Sequence, residues 1–169
     1  MSHERFVLLD AGEARTGRIP LPPAFSVKAA TGDTEGRFSL LEVVLAREIP
    51  RHTHHVADES VYVLDGELLV DIEDRSHPLT AGQFVLLPHG VPHALRPGPG
   101  GPPRVLQISS PGGWECFVED MVEAGPRLTV DGRMDPARLN GIARRHGITY
   151  EEPADREAPP ANSSRNCPG

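Results

Sequence analysis

The chain has 169 residues, 24 acidic and 17 basic side chains, a net charge of −7 and 38% apolar residues, enough for one packed domain and short for two. An acidic chain whose longest basic run is Arg144-Arg145 repels phosphate backbones, which excludes nucleic acid as an expected partner. No apolar run approaches bilayer length, so no membrane partner is expected.

Proline (18) and glycine (17) together exceed a fifth of the chain, which disfavours long helices and predicts an all-β body with many turns. The amino-terminal stretch "MSHERFVLLDAGEARTG" lacks the basic start and apolar core of a signal peptide. Cys116 and Cys167 do not make a disulfide framework, so a reducing, cytoplasmic setting is expected.

In chain order, "RFVLL" (5–9) reads as a short apolar strand, followed by a loop rich in Gly, Arg and Pro. "AFSVKAA" (24–30) is a strand, "TGDTEG" a turn, and "RFSLLEVVLA" (37–46) a stronger strand ended by Pro50. "SVYVLDGELLVDIE" (60–73) holds two β-branched runs broken at Asp65-Gly66, the signature of a hairpin. "FVLLP" (84–88), "HALRP" (93–97) and "RVLQISS" (104–110) continue the short-strand rhythm of a sandwich or small barrel. "WECFVEDMVEA" (114–124) fits both periods: Trp114, Phe117 and Met121 suit a helix, whereas Trp114, Cys116 and Val118 suit a strand. "DPARLNGIARRHG" (135–147) predicts a short helix capped by Asp135, opened by Pro136 and stopped at Gly147. From Glu151 the chain is polar and proline-rich, and disorder is expected over 151–169. One domain is therefore expected over 1–150.

The chemistry concentrates in "PRHTHHVADESVYVLDGELLV" (50–70) and "GQFVLLPHGVPHALRP" (82–97). His52 and His54 are two apart and share one face of an extended strand. Glu59 starts the next strand, and a turn through Pro88 and Gly90 presents His93 on another. If the sheet curls, three imidazoles and a carboxylate converge from three neighbouring strands, a donor set that suits one first-row divalent metal with open coordination positions. His55 has the opposite parity to His54, and His89 lies in a turn; both are expected at the surface or behind the ligands. Val61, Val63 and Leu95 share the parity of the ligands and are expected beside the metal, Tyr62 on the other face. Cys116 reads as a small buried apolar group.

These residues resemble the cupin superfamily. Its first motif, G-x5-H-x-H-x(3,4)-E-x6-G, is met at His52, His54, Glu59 and Gly66, with Ala46 in place of the leading glycine. Its second, G-x5-P-x-G-x2-H-x3-N, is met at Gly82, Pro88, Gly90 and His93, with Pro97 in place of the closing asparagine. Both departures concern turns rather than ligands. The resemblance implies a double-stranded β-helix (jelly-roll) barrel with a short carboxyl-terminal helical segment. It also implies one divalent metal per chain (Fe, Mn, Ni, Co or Zn) held by His52, His54, Glu59 and His93.

Within the superfamily the chain looks most like bacterial single-domain cupins related to quercetin 2,3-dioxygenase. That implies a dioxygenase opening a flavonol or related enol ring, with Glu59 as ligand and general base. A redox-neutral isomerase, cyclase or lyase, such as the cupin-type polyketide cyclases, is the alternative. A binding module without turnover is the third reading. The substrate is expected to be a small molecule, aromatic or polyketide-like. A homodimer is expected, with "RFVLL" and "LLEVVLA" pairing across the subunit boundary, since cupin barrels often dimerise through their outer sheet.

Overall fold

The computed structural model describes residues 6–153. The short strands predicted from alternation are present and lie antiparallel in two five-stranded sheets. The first sheet contains β1 (Phe25–Ala29), β2 (Ser39–Val44), β4 (Asp58–Asp65), β7 (Phe84–Leu87) and β9 (Arg104–Ser110), in the order β1-β2-β9-β4-β7. The second contains β3 (Ile49–His54), β5 (Glu67–Ile72), β6 (Arg75–Thr80), β8 (His93–Pro97) and β12 (Ile148–Tyr150), in the order β12-β3-β8-β5-β6. A ribbon of β10 (Thr129–Val130) and β11 (Arg133–Met134) stands apart. The architecture is an all-β jelly roll, as the motifs implied.

Strand alternation decides what fills the space between the sheets. Leu41 and Val43, Val61 and Val63, and Val105 are buried from the first sheet; Leu68, Val70 and Leu95 are buried from the second. Their neighbours in sequence point outward. On the outer face of the first sheet, Phe84, Tyr62 and Leu106 stand opposite one another across three strands. Leu86, Ser60, Ile108 and Leu40 make the next row. Phe84, Leu86 and Tyr62 are exposed there.

The Asp65-Gly66 hairpin does not form. β4 pairs with β7 and β9, and β5 with β6 and β8, so the chain changes sheets at Gly66. Gly66 has φ +80°, and a Cβ there would come within 3.0 Å of the Pro103 Cα, so the crossing requires glycine. The hairpin signal was local, whereas the competition between sheets for each strand is not. The true hairpin is β5–β6, turning at Glu73 with φ 51°. β6 was missed because "RSHPLT" is polar. Of its residues only Leu79 is buried, and its proline is tolerated on an edge strand.

Two further expectations are corrected. Residues 6–9 of "RFVLL" form no strand, and Phe6 and Leu8 are exposed. "LLEVV" cannot pair with a second chain, because β2 is hydrogen-bonded on both sides, to β1 and β9. The predicted disorder beyond residue 153, and Cys167 with it, lies outside the described residues.

The ambiguous segment is helical. α1 (Trp114–Ala124) buries Trp114, Phe117 and Val118, residues spaced for one helix face. α2 (Pro136–Ala143) is capped as its sequence predicts: the Asp135 side chain accepts from the Arg138 N–H at 2.9 Å. Phe117 joins Leu139 and Ala143 of α2 and Ile148 of β12 in the main core. Phe117→Ala is expected to cost about 3–5 kcal/mol in denaturant unfolding, and Asp135→Ala only about 1 kcal/mol. Equal losses would show that the helices are held by their ends rather than by this packing.

Candidate metal centre

β3 begins with a bulge that aims the first histidine. Ile49 pairs with Leu95 and His52 with His93, so three steps along β3 match two along β8. The extra residue lets Ile49 and His52 face inward together, which a regular strand of that spacing forbids. Pro50 sits in this irregular step, where a missing N–H does least harm. Its carbonyl accepts from Nδ1 of His52 at 2.9 Å, and the Val91 carbonyl holds Nδ1 of His93 at the same distance. In both rings Nδ1 is thereby engaged and Nε2 is turned inward.

Glu59, from β4 of the opposite sheet, meets these nitrogens. Its Oε2 lies 3.1 Å from Nε2 of His54, 3.1 Å from Nε2 of His93 and 3.9 Å from Nε2 of His52. Oε1 accepts from the Gln107 amide at 2.9 Å. All four predicted ligands are buried, and one donor atom from each lies within 4.8 Å of the others. The convergence is real, but it is not from three neighbouring strands: β3 and β8 adjoin, whereas β4 faces them across the interior.

Burial opposes charge on Glu59, yet the three imidazoles outweigh it and hold the carboxyl well below the usual carboxylate range. Burial pushes His52 down. Burial also opposes charge on His93, but the hydrogen bond and charge of Glu59 carry it upward. Nε2 of His52 and of His54 are buried with no hydrogen-bond partner among the described residues; the 3.1 Å approach of His54 to Glu59 lacks hydrogen-bond geometry. Buried lone pairs directed at an anionic oxygen are what a cation satisfies, and three imidazoles with one carboxylate suit a first-row divalent ion. The cluster could hold one metal ion.

The other sequence expectations sort by parity. Val61 and Leu95 share a void of about 20 Å³ with Glu59; Val63 is buried but lies outside that lining. Tyr62 is on the outer face. His55 and His89 are exposed, bonded to Thr149 and Asp58 respectively. Cys116 is exposed on α1 rather than buried, because the helical period turns it away from Trp114 and Phe117. Partial burial and the nearby Glu115, Glu119 and Asp120 carboxylates push its thiol up, away from the nucleophilic form.

Three residues around the centre were not anticipated. Gln107 shares the inward parity of Val105 and Ser109, a signal hidden by the apolar Leu106 and Ile108 between them. Tyr150 lies on β12, opposite His52 in register, with its ring stacked on that imidazole at 5.1 Å. Burial, with the Glu59 charge behind it, raises the Tyr150 phenol, so at neutral pH it is a donor. Trp114 meets the His54 ring at 5.6 Å.

Gln107, Trp114 and Tyr150 share a cavity of about 390 Å³, whose other walls include Phe25, Ile49, Met121 and Met134. That volume lies in the range of small-molecule sites. A second cavity of about 290 Å³, on which His54, Ser109 and Arg145 border, also touches Trp114.

Residues 40–107, which include all four clustered donors, match the family described as Cupin domain. Those residues carry a cupin domain. Protein SchB of Streptomyces halstedii is 36% identical over 73 residues, 43% of this chain and 53% of that protein. Polyketide synthase CurC of Streptomyces cyaneus is 34% identical over 65 residues, 38% of this chain and 42% of that protein. The chain thus spans about half the length of the curated relatives it matches. Among solved structures, the polyketide cyclase RemF from Streptomyces resistomycificus aligns at 24% identity and TM-score 0.49, covering 62% of this chain and 79% of that one. Ectoine synthase from P. lautus aligns at 17% and 0.48, covering 82% and 83%.

Metal analysis of the purified protein is expected to find one divalent ion per chain. His52→Ala and His93→Ala are each expected to lose it, and chelation to lower the melting temperature of the parent. A parent that binds no ion and melts unchanged in chelator would make the cluster a buried polar network only.

Proposed function

We propose that this cupin is a redox-neutral metal-dependent enzyme that cyclises or isomerises an aromatic or polyketide-like small molecule. The observation that carries the reading is the buried His52, His54, Glu59 and His93 cluster beside an apolar cavity of about 390 Å³. The name of the CurC relative, Polyketide synthase, supports the substrate class. His52, His54, His93 and Glu59 would hold the ion, which would supply Lewis acidity towards a carbonyl oxygen.

The chain's own residues do the rest. Glu59, kept ionised by its neighbours, accepts a proton from a carbon between two carbonyls. The carbanion attacks a second carbonyl carbon of the same molecule, and the proton returns to the new alkoxide, so no oxidant is consumed. Gln107 fixes Oε1 of Glu59 and leaves Oε2 as the working oxygen. The apolar walls exclude water that would otherwise quench the carbanion.

The dioxygenase reading, set first by the sequence resemblance, shares this donor set, which also suits iron and manganese. One experiment separates the two. Metal-loaded protein is given an acyclic poly-β-ketone and, separately, a flavonol, under an oxygen electrode with mass analysis of products. The expected result is a product of unchanged mass, or lighter by water, with no oxygen uptake. Glu59→Gln is expected to slow it by about 10²–10⁴-fold. Metal-dependent oxygen uptake abolished by His52→Ala would overturn the redox-neutral reading in favour of the dioxygenase.

A second copy of the chain is the proposed partner for the outer face of the first sheet. There Phe84, Leu86 and Tyr62 are exposed in two continuous cross-strand rows, and contiguous exposed apolar surface marks association. Light scattering is expected to give the mass of a dimer, and Phe84→Lys that of a monomer. A monomeric parent would remove the proposal.

A further inference from the structure

Trp114 and Tyr150 come from α1 and β12, elements outside residues 40–107, and neither belongs to the metal cluster. Both are almost fully buried, 5% and 4% exposed, and both line the 390 Å³ cavity. Nε1 of Trp114 is buried without a hydrogen-bond partner among the described residues. Tyr150 is held through its backbone: its N–H donates to Oδ1 of Asn140 at 2.7 Å, and its carbonyl accepts from Nδ2 of the same amide at 3.0 Å. Its hydroxyl makes no hydrogen bond among the described residues. Because both backbone groups turn to Asn140, the Tyr150–His52 pair is a non-hydrogen-bonded one, in which side chains approach most closely.

We infer that the Trp114 indole N–H and the Tyr150 hydroxyl are the specificity-determining donors of the cavity, which takes a ring system bearing carbonyl or phenolic oxygens. This rests on the small-molecule reading above and names the chemistry that selects its substrate. A purely hydrocarbon ligand leaves two buried donors unpaired, and a site built to hydrogen-bond discriminates strongly against a ligand that lacks the acceptor. The body of the ligand lies among Phe25, Met121 and Met134, whose aromatic and thioether surfaces suit a flat ring. No anionic side chain is in the lining, and its only cationic one, Arg47, is exposed. The lining therefore suits neutral or acidic oxygenated rings and disfavours cationic ones.

Trp114 is the only tryptophan in the chain, so its fluorescence reports occupancy of the cavity. The zinc-loaded full chain is titrated with an ortho-hydroxyacetylnaphthalene and, as its apolar counterpart, with ethylnaphthalene. Tyr150→Phe is followed by fluorescence and Trp114→Phe by calorimetry, each after thermal unfolding has confirmed a folded protein. The oxygenated probe is expected to bind more tightly to the parent, and each variant to weaken it by about threefold to tenfold. Neither variant is expected to change the apolar probe. Equal weakening of both probes, weakening of neither, or a parent that binds neither would overturn the assignment. Binding is read without turnover, so a failure of the proposed reaction leaves this result intact, and the converse also holds.

Discussion

A carboxylate taken out of water inside a β-structure is the most demanding group in this molecule, and the interior is arranged around it. Glu59 is 1% exposed, and an isolated ionised carboxyl so placed would take up a proton rather than remain charged. Three imidazoles from the facing sheet and one amide from β9 surround it instead. Removing those partners would strand the charge, so the two sheets are tied by polar chemistry at this end. Beyond it, Leu68, Val61, Val63 and Val70 fill the space between them as ordinary core.

That tie demands a register that regular strands would not supply. The bulge after Ile49 turns His52 inward, and the Pro50 carbonyl in that step orients the ring it has redirected. Distortion and orientation thus come from one backbone feature, as expected where a bulge re-aims a side chain beside a functional site. The crossing at Gly66 serves the same end, since it sends β4 and β5 to different sheets and lets Glu59 face the histidines rather than lie beside them.

The segment after β9 converts a barrel into a chamber. α1 sets Trp114 against His54, and β12 extends the histidine-bearing sheet by one strand and stacks Tyr150 on His52. The match to the cupin family ends at residue 107, before either element. The matched region therefore carries all four metal-type donors and part of the cavity lining, including Ile49 and Gln107, while Trp114 and Tyr150 come from outside it.

The convergent donor cluster was legible because its signal is local. His52 and His54 share parity, Glu59 and His93 follow at spacings that turns impose, and no distant residue is needed to see it. The Asp135 cap and the Gly147 stop were legible for the same reason, since a cap bonds within one helical turn. The Asp65-Gly66 hairpin misled because a turn signal cannot report which sheet receives the next strand. β12 was invisible because three residues carry too little alternation, and only pairing with β3 makes them a strand. Gln107 was masked by apolar neighbours that face outward. The sequence by itself determined which atoms could bind an ion, because ligand identity and parity are properties of short segments. Tertiary structure alone decided what surrounds those atoms, because the cavity walls come from strands and helices far apart in the chain, which no local pattern records.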